Sequence, residues 1–118
     1  MYNHMVVDQT ADSVFHALAD GTRREIVALV LTEDHSVSEL ARRFPMSFAA
    51  VQKHVAVLER AGLVVKEKRG REQRVRGDVD ALRPARLLLD QLEDVWRGRI
   101  TRMAGLLTED AHEQGALR

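Results

Sequence analysis

The stretch from Ser47 to Gly62, SFAAVQKHVAVLERAG, is bounded at both ends, and this constrains the chain more than any other feature. Ser47 can cap a helix, its hydroxyl accepting a hydrogen bond from a first-turn amide that has no carbonyl partner. Val51, Val55 and Leu58 follow at helical spacings and share one face. Gly62 can take the left-handed conformation just past a helix end. The opposite face carries Phe48, Ala49, Gln52, Lys53 and Arg60. Gln and Lys on such a face suit the major groove of DNA, where they meet base edges or phosphates. An ordinary amphipathic surface helix has the same pattern, so the neighbouring segments decide.

Upstream, Ser36 and Glu39 in SVSELARRF have the capping-box spacing, with Val37, Leu40, Ala41 and Phe44 as the inner face. Pro45 ends that helix and Met46 leads directly into Ser47. Two short helices joined by a tight turn, the second with the polar outer face, form a helix-turn-helix. Downstream, Leu63-Val64-Val65 opens an alternating charged run, Gly70-Arg71 turns it, and Glu72 to Arg76 returns. This predicts a hairpin with its tip at Gly70. A basic hairpin directly after a recognition helix is a wing, suited to the DNA backbone or the minor groove.

The charge pattern agrees. The 118 residues are neutral overall, with 18 Lys and Arg against 18 Asp and Glu. Between Ala41 and Arg76, however, Arg42, Arg43, Lys53, Arg60, Lys66, Lys68, Arg69, Arg71, Arg74 and Arg76 face only Glu59, Glu67 and Glu72. That segment carries +7 and the remainder −7. A basic middle in an acidic frame is the footprint of a polyanion-binding face.

Residues 1–10 show no period and predict a flexible arm. Ala11 to Ala19 predicts a short helix with Val14, Phe15 and Leu18 on its face and Asp12 or Ser13 as cap. After the break at Asp20-Gly21, Thr22 can cap a second helix whose Ile26, Val27, Leu29, Val30 and Leu31 demand burial. Arg23 and Arg24 lie in its first turn, where the helix dipole disfavours cations, so they need a partner, an acidic side chain or a phosphate. Glu33-Asp34-His35 reads as a polar turn. Asp80 caps a last helix running to about Leu107, with Pro84 tolerated in its first turn. Its stripe of Ala85, Leu88, Leu92, Trp96, Ile100, Met103 and Leu107, widened by Leu89, Val95 and Leu106, extends over ~40 Å. That exceeds what a small core covers, and the surplus suits the same helix of a second copy. The tail, 108–118, is polar and predicted to fray. The expected architecture is one domain, 1–118, mainly α with a small β-hairpin. It is a winged helix-turn-helix, paired as a homodimer through the first and last helices at Val14, Leu18, Leu88, Leu92, Trp96, Ile100 and Met103.

Several function classes are disfavoured. An apolar fraction of 45% supports a folded core. The absence of cysteine removes disulfides, thiolate metal sites and thiol nucleophiles, and fits a cytoplasmic location. Apolar runs are too short for a bilayer and the N-terminus lacks a signal pattern, so no membrane partner is expected. With no Gly-rich phosphate loop and no Ser/His/carboxylate set, no enzyme activity and no catalytic residue are expected. His4, His16, His35, His54 and His112 are scattered and read as surface or capping residues, so no metal site or cofactor is expected.

Leu18-Ala19-Asp20-Gly21-Thr22-Arg23-Arg24-Glu25-Ile26, Ser38-Glu39-Leu40-Ala41, Ala50-Val51-Gln52-Lys53-His54-Val55 after Ser47, Ala61-Gly62-Leu63-Val64 and Arg69-Gly70-Arg71 follow in an order that resembles the ArsR family of bacterial winged-helix repressors. The resemblance covers about Val14 to Leu107. It implies a homodimer that binds a pseudo-palindromic operator on double-stranded DNA and represses transcription, often of its own operon. It also implies base contacts from Phe48, Ala49, Gln52 and Lys53, and phosphate contacts from Ser47, His54 and the wing residues Arg69, Arg71 and Arg74. Phe48 can reach a thymine methyl or fold back on the protein. Metal-sensing members carry cysteines before the recognition helix or His and carboxylate ligands on the last helix. Here Leu40-Ala41-Arg42-Arg43 holds no thiol, and Asp90, Glu93 and Asp94 have no histidine nearby in sequence until His112. The chain thus resembles a cysteine-free branch without an evident metal site. The alternative is a regulator of the same fold with a metal or small-molecule effector at the dimer helices.

Overall fold

The computed structural model describes residues 9–116, and side-chain surroundings within 10–108. The predicted arm lies outside the described residues except for its last two positions, which are already helical. The chain divides into two units, 1–86 and 87–118.

The first unit opens with α1 (Gln9–Leu18) and α2 (Gly21–Thr32). Asp12 and Ser13 are not caps: α1 begins earlier, and Asp12 sits in its first turn, where its charge favours the dipole. The cap of α2 is Asp20, not Thr22. Asp20 is extended, and its Oδ2 accepts the Arg23 amide at 3.0 Å. The main partners of Arg23 and Arg24 within the chain are backbone carbonyls, not an acidic side chain. Arg23 Nε donates to the Ala17 carbonyl at 2.7 Å and its Nη2 to the His16 carbonyl at 3.1 Å. Arg24 Nη1 donates to the Leu18 carbonyl at 2.8 Å. These are last-turn carbonyls of α1, of which His16 also accepts the Ala19 amide at 3.2 Å, so two cations at the start of α2 close the end of α1.

The supposed polar turn holds a strand. β1 (His35–Ser36) pairs antiparallel with β3 (Glu72–Gly77), which pairs with β2 (Val64–Arg69), giving the order β1-β3-β2. His35 lies opposite Val75 and is 4% exposed, so of the two readings, surface or capping histidine, the surface one fails; it adjoins the cap of the next helix. Ser36 then caps α3 (Val37–Ala41), accepting the Glu39 amide at 3.0 Å. This helix stops before Phe44. The Arg43 amide bonds the Leu40 carbonyl in a tightened last turn, and Pro45 disfavours a helical residue before it.

α4 (Phe48–Arg60) forms as its boundaries require. Ser47 Oγ accepts the Ala50 amide at 3.1 Å. At the other end Gly62 has φ +78°, its amide bonds the Glu59 carbonyl, and the Leu63 amide bonds the Leu58 carbonyl. This is a Schellman closure, with Leu58 and Leu63 both buried. The wing registers Arg69 opposite Glu72 around a two-residue loop. Gly70 has φ +60° and Arg71 does not, the placement that a type II′ hairpin turn requires. At Gly77 a Cβ would lie 2.7 Å from Leu31 Cδ2 and 3.1 Å from Leu31 Cα, so β3 reaches α2 this closely only through glycine.

Ile26, Leu40, Val51, Val55, Leu58, Leu63, Val64 and Val75 form one buried cluster, so α2, both helices of the helix-turn-helix and the wing root share a core. Val14 is fully buried in that cluster, which removes it from the intersubunit set; Leu18 is half-buried against it. A 3-10 turn (Val79–Leu82) leads into α5 (Arg83–Ala116). α5 continues past Leu107 through the segment predicted to fray, because TEDAHEQ holds no glycine or proline to stop it. In the second unit Leu92, Trp96, Ile100 and Met103, with Leu89, Val95 and Leu106, are exposed, and Leu88 is half-buried. Among the described residues no helix is long and apolar enough to cross a membrane.

Candidate nucleic-acid interface

α4 presents two faces of different chemistry. Val51, Val55 and Leu58 are inside, while Phe48, Ala49, Gln52 and Lys53 are exposed. Phe48 is 46% exposed and is not one of the buried core residues. Among the described residues Gln52 and Lys53 make no side-chain hydrogen bond or ion pair. The first two turns of this face carry no carboxylate. Ser47 Oγ is occupied as an acceptor by the helix cap, which leaves its hydroxyl hydrogen free to donate.

His54 is placed differently from its neighbours. It is half-buried, its Nδ1 lies 3.4 Å from Arg23 Nη1 and 3.9 Å from Asp20 Oδ2. Because a guanidinium only donates, Nδ1 accepts in that contact. The structure therefore ties His54 to the α1–α2 junction and does not bring that ring nitrogen to the outer face. The Arg23 amide, against a smaller desolvation effect and helped by the Arg23 charge and the Thr22 amide, holds the Asp20 carboxyl below the ordinary carboxylate range.

The wing is largely knitted to itself and to its surroundings. Lys66 pairs with Glu59 at 3.3 Å, and Arg76 and Arg69 approach Glu67 at 3.0 and 3.9 Å. Arg74 is a correction to the predicted phosphate set. Its Nη1 meets Glu39 Oε1 at 3.2 Å, its Nη2 donates to the Asp34 carbonyl at 3.1 Å, and Glu72 is 3.7 Å away. Glu39 in turn accepts from His35 Nδ1 at 3.2 Å, while Glu33 lies 3.7 Å from His35 Nε2. Burial raises the Glu39 carboxyl, but the His35 hydrogen bond, the Arg74 charge and the Ser36 amide outweigh it, so it sits below its ordinary value. Arg74 thereby bolts the wing to the first helix of the helix-turn-helix. Its partner lies 35 residues away, a distance no local pattern reveals.

Among the described residues Lys68 and Arg71 on the wing, with Arg42, Arg43, Lys53 and Arg60, have no ion pair. Lys68 was missing from the predicted site. Its signal was available, because in a hairpin with its tip at Gly70 it stands near the tip opposite Gln73. In the second unit Glu93 pairs with Arg97 at 3.1 Å, and Arg99 lies 5.7 Å over the Trp96 ring. Among the described residues no three His, Asp or Glu side chains come together in a group able to hold a metal.

Known proteins share this arrangement. A helix-turn-helix domain family matches residues 18–67. The HTH-type transcriptional regulator Rv2034 of Mycobacterium tuberculosis is 34% identical over 105 residues, which are 89% of this chain and 95% of that protein. An ArsR-like transcriptional regulator from Rhodococcus sp. RHA1 has 37% identity and a TM-score of 0.70, over 80% of this chain and 90% of that one. The chain belongs to the ArsR family of winged helix-turn-helix transcriptional regulators. A homodimeric winged helix-turn-helix DNA-binding domain from Mycobacterium bovis shares the fold, with a TM-score of 0.61 at 23% identity, over 77% of this chain and 85% of that one. As an ArsR-family member this chain is a DNA-binding transcriptional regulator and not an enzyme. It is a cysteine-free member.

Proposed function

We propose that the protein is a homodimeric, sequence-specific repressor of a pseudo-palindromic operator. The observation that carries this reading is the outer face of α4, where Phe48, Ala49, Gln52 and Lys53 are exposed and, among the described residues, Gln52 and Lys53 have no side-chain hydrogen bond or ion pair. Two such helices, one per subunit, would enter successive major grooves ~34 Å apart. The Ser47 hydroxyl, Lys68, Arg71 and the loosely held Arg69 would meet phosphates and set the register. Leu88, Leu92, Trp96, Ile100 and Met103, with the edge of Leu18, would pack against their counterparts in the second copy. The exposure of large apolar residues along α5 supports that pairing, since such stripes mark interfaces. Occupying an operator would exclude other proteins from the promoter, in the cytoplasm where that DNA lies.

The test is a fluorescence-anisotropy titration against DNA from upstream of the protein's own coding region and against a scrambled duplex. It is run at two salt concentrations, with molar mass measured by light scattering. Salt-sensitive binding by a dimer, tighter on the native duplex, is the expected result. Equal affinity for both duplexes, or a monomer bound to DNA, would defeat the reading.

A further inference from the structure

We infer that α4 reads each half-site through a thymine methyl and an adenine edge, with Phe48 contacting the methyl and Gln52 the adenine. This rests on the regulator reading above and names the DNA chemistry that it selects. The four base edges differ in the major groove. Guanine offers two acceptors, cytosine a donor, adenine an acceptor beside a donor, and thymine an acceptor beside a methyl. A protein face is matched to these by the groups it can offer. The first two turns of α4 hold no arginine, the side chain suited to the paired acceptors of guanine, and no carboxylate to accept from cytosine. They hold instead an exposed phenyl ring, an exposed methyl at Ala49 and an uncommitted carboxamide. A carboxamide both donates and accepts, which is the complement of adenine N7 and N6. An aromatic ring on the outer face gains only from an apolar group, and the thymine methyl is the apolar group on the edges of the unmodified bases.

The spacing fits. Phe48 and Gln52 are four apart in the helix, so their Cβ atoms are ~6 Å from one another on one ridge. Base pairs rise ~3.4 Å each. The thymine and the adenine therefore fall within about two base pairs of each other. Lys53 stands beside this ridge and remains for a guanine edge or a phosphate. Truncating Phe48 should leave the fold intact, because the ring is 46% exposed and outside the core cluster.

The experiment begins with selection from random duplexes by the full-length protein. Each thymine of the selected site is then replaced by deoxyuridine, which removes only the methyl, and each adenine by 7-deazaadenine, which removes the N7 acceptor. Affinities are measured for the wild type, Phe48→Ala and Gln52→Ala. The expected result is a thymine in each half-site where uracil weakens the wild type about four-fold, the value of one buried methyl group. Phe48→Ala should show no such loss at that position. Within two base pairs, 7-deazaadenine should weaken the wild type but not Gln52→Ala. A selected site that tolerates uracil everywhere, or loses affinity equally in Phe48→Ala, overturns the methyl assignment and leaves the regulator reading standing. A 7-deazaadenine loss retained in Gln52→Ala overturns the adenine assignment. If no duplex is enriched, the regulator reading itself falls and takes this inference with it.

Discussion

The recognition helix and the wing are both basic in sequence, yet the structure gives them opposite characters. On the wing, Lys66, Arg69, Arg74 and Arg76 all face carboxylates, and only Lys68 and Arg71 are without one among the described residues. The exposed N-terminal half of α4 holds a single lysine, and among the described residues neither it nor Gln52 has a side-chain partner, whereas His54 is tied to Arg23 and Asp20. A count of cations therefore misjudges both regions. Most wing charge maintains the wing, whereas among the described residues Gln52 and Lys53 on α4 have no side-chain partner. On the proposed reading, that difference would divide sequence reading from backbone charge between two adjacent elements.

Gln52→Ala should have the largest effect. It should cost ~1–3 kcal/mol at one base pair of the operator and nothing elsewhere, read as the affinity ratio between the operator and single-base variants. Arg74→Ala comes next. It removes the Arg74 donor from the Asp34 carbonyl and leaves Glu39 with His35 and the Ser36 amide alone, so thermal or urea unfolding should show a loss of about 2 kcal/mol. A stability unchanged within error would mean that the wing is held by β pairing alone. Removing the unpaired cations in Lys68→Ala/Arg71→Ala should leave stability near the wild type but flatten the plot of log K against log salt by roughly two, about 0.9 per phosphate contact. An unaltered slope would place the phosphates elsewhere.

Smaller effects follow. Asp20→Ala removes the cap of α2 and should lower the melting temperature by less than Arg74→Ala does. Because the Asp20 carboxyl is depressed in the folded chain, its ionised form stabilises the fold above the unfolded value, near pH 4, and that contribution fades as pH falls through the lower folded value. The stability gap between wild type and Asp20→Asn should accordingly be constant at neutral pH and shrink below about pH 4; a gap that widened in acid would refute the assignment. Arg76→Ala, which removes an exposed pair with Glu67, should change stability by no more than about 0.5 kcal/mol.

How legible these elements were depended on how local their causes are. α4 could be read residue by residue, because its cap, apolar face and glycine stop are all within sixteen positions of each other. The hairpin was equally plain, since Gly70 and the alternating run are adjacent. The chain hid what depends on distant partners. β1 is two residues long and exists only by pairing with β3, some forty positions on. Arg74 reads as a wing cation until Glu39 is folded beside it, and His54 reads as an outer residue until Arg23 and Asp20 arrive. Arg23 and Arg24 were recognised as needing partners, but backbone carbonyls of the preceding helix leave no mark in a sequence. Val14 shows the converse limit. A helical period identifies a face, not whether that face meets the chain's own core or another copy.

On the proposed reading, α4 supplies the sequence preference and the wing only charge. The most direct test titrates wild type, Gln52→Ala and Lys68→Ala/Arg71→Ala against operator and scrambled duplex over a range of salt. Gln52→Ala should lower the operator-to-scrambled ratio and keep the salt slope, while the wing variant should lower the slope and keep the ratio. If Gln52→Ala weakens both duplexes alike, or the wing variant erases the preference, the division between the two regions is wrong.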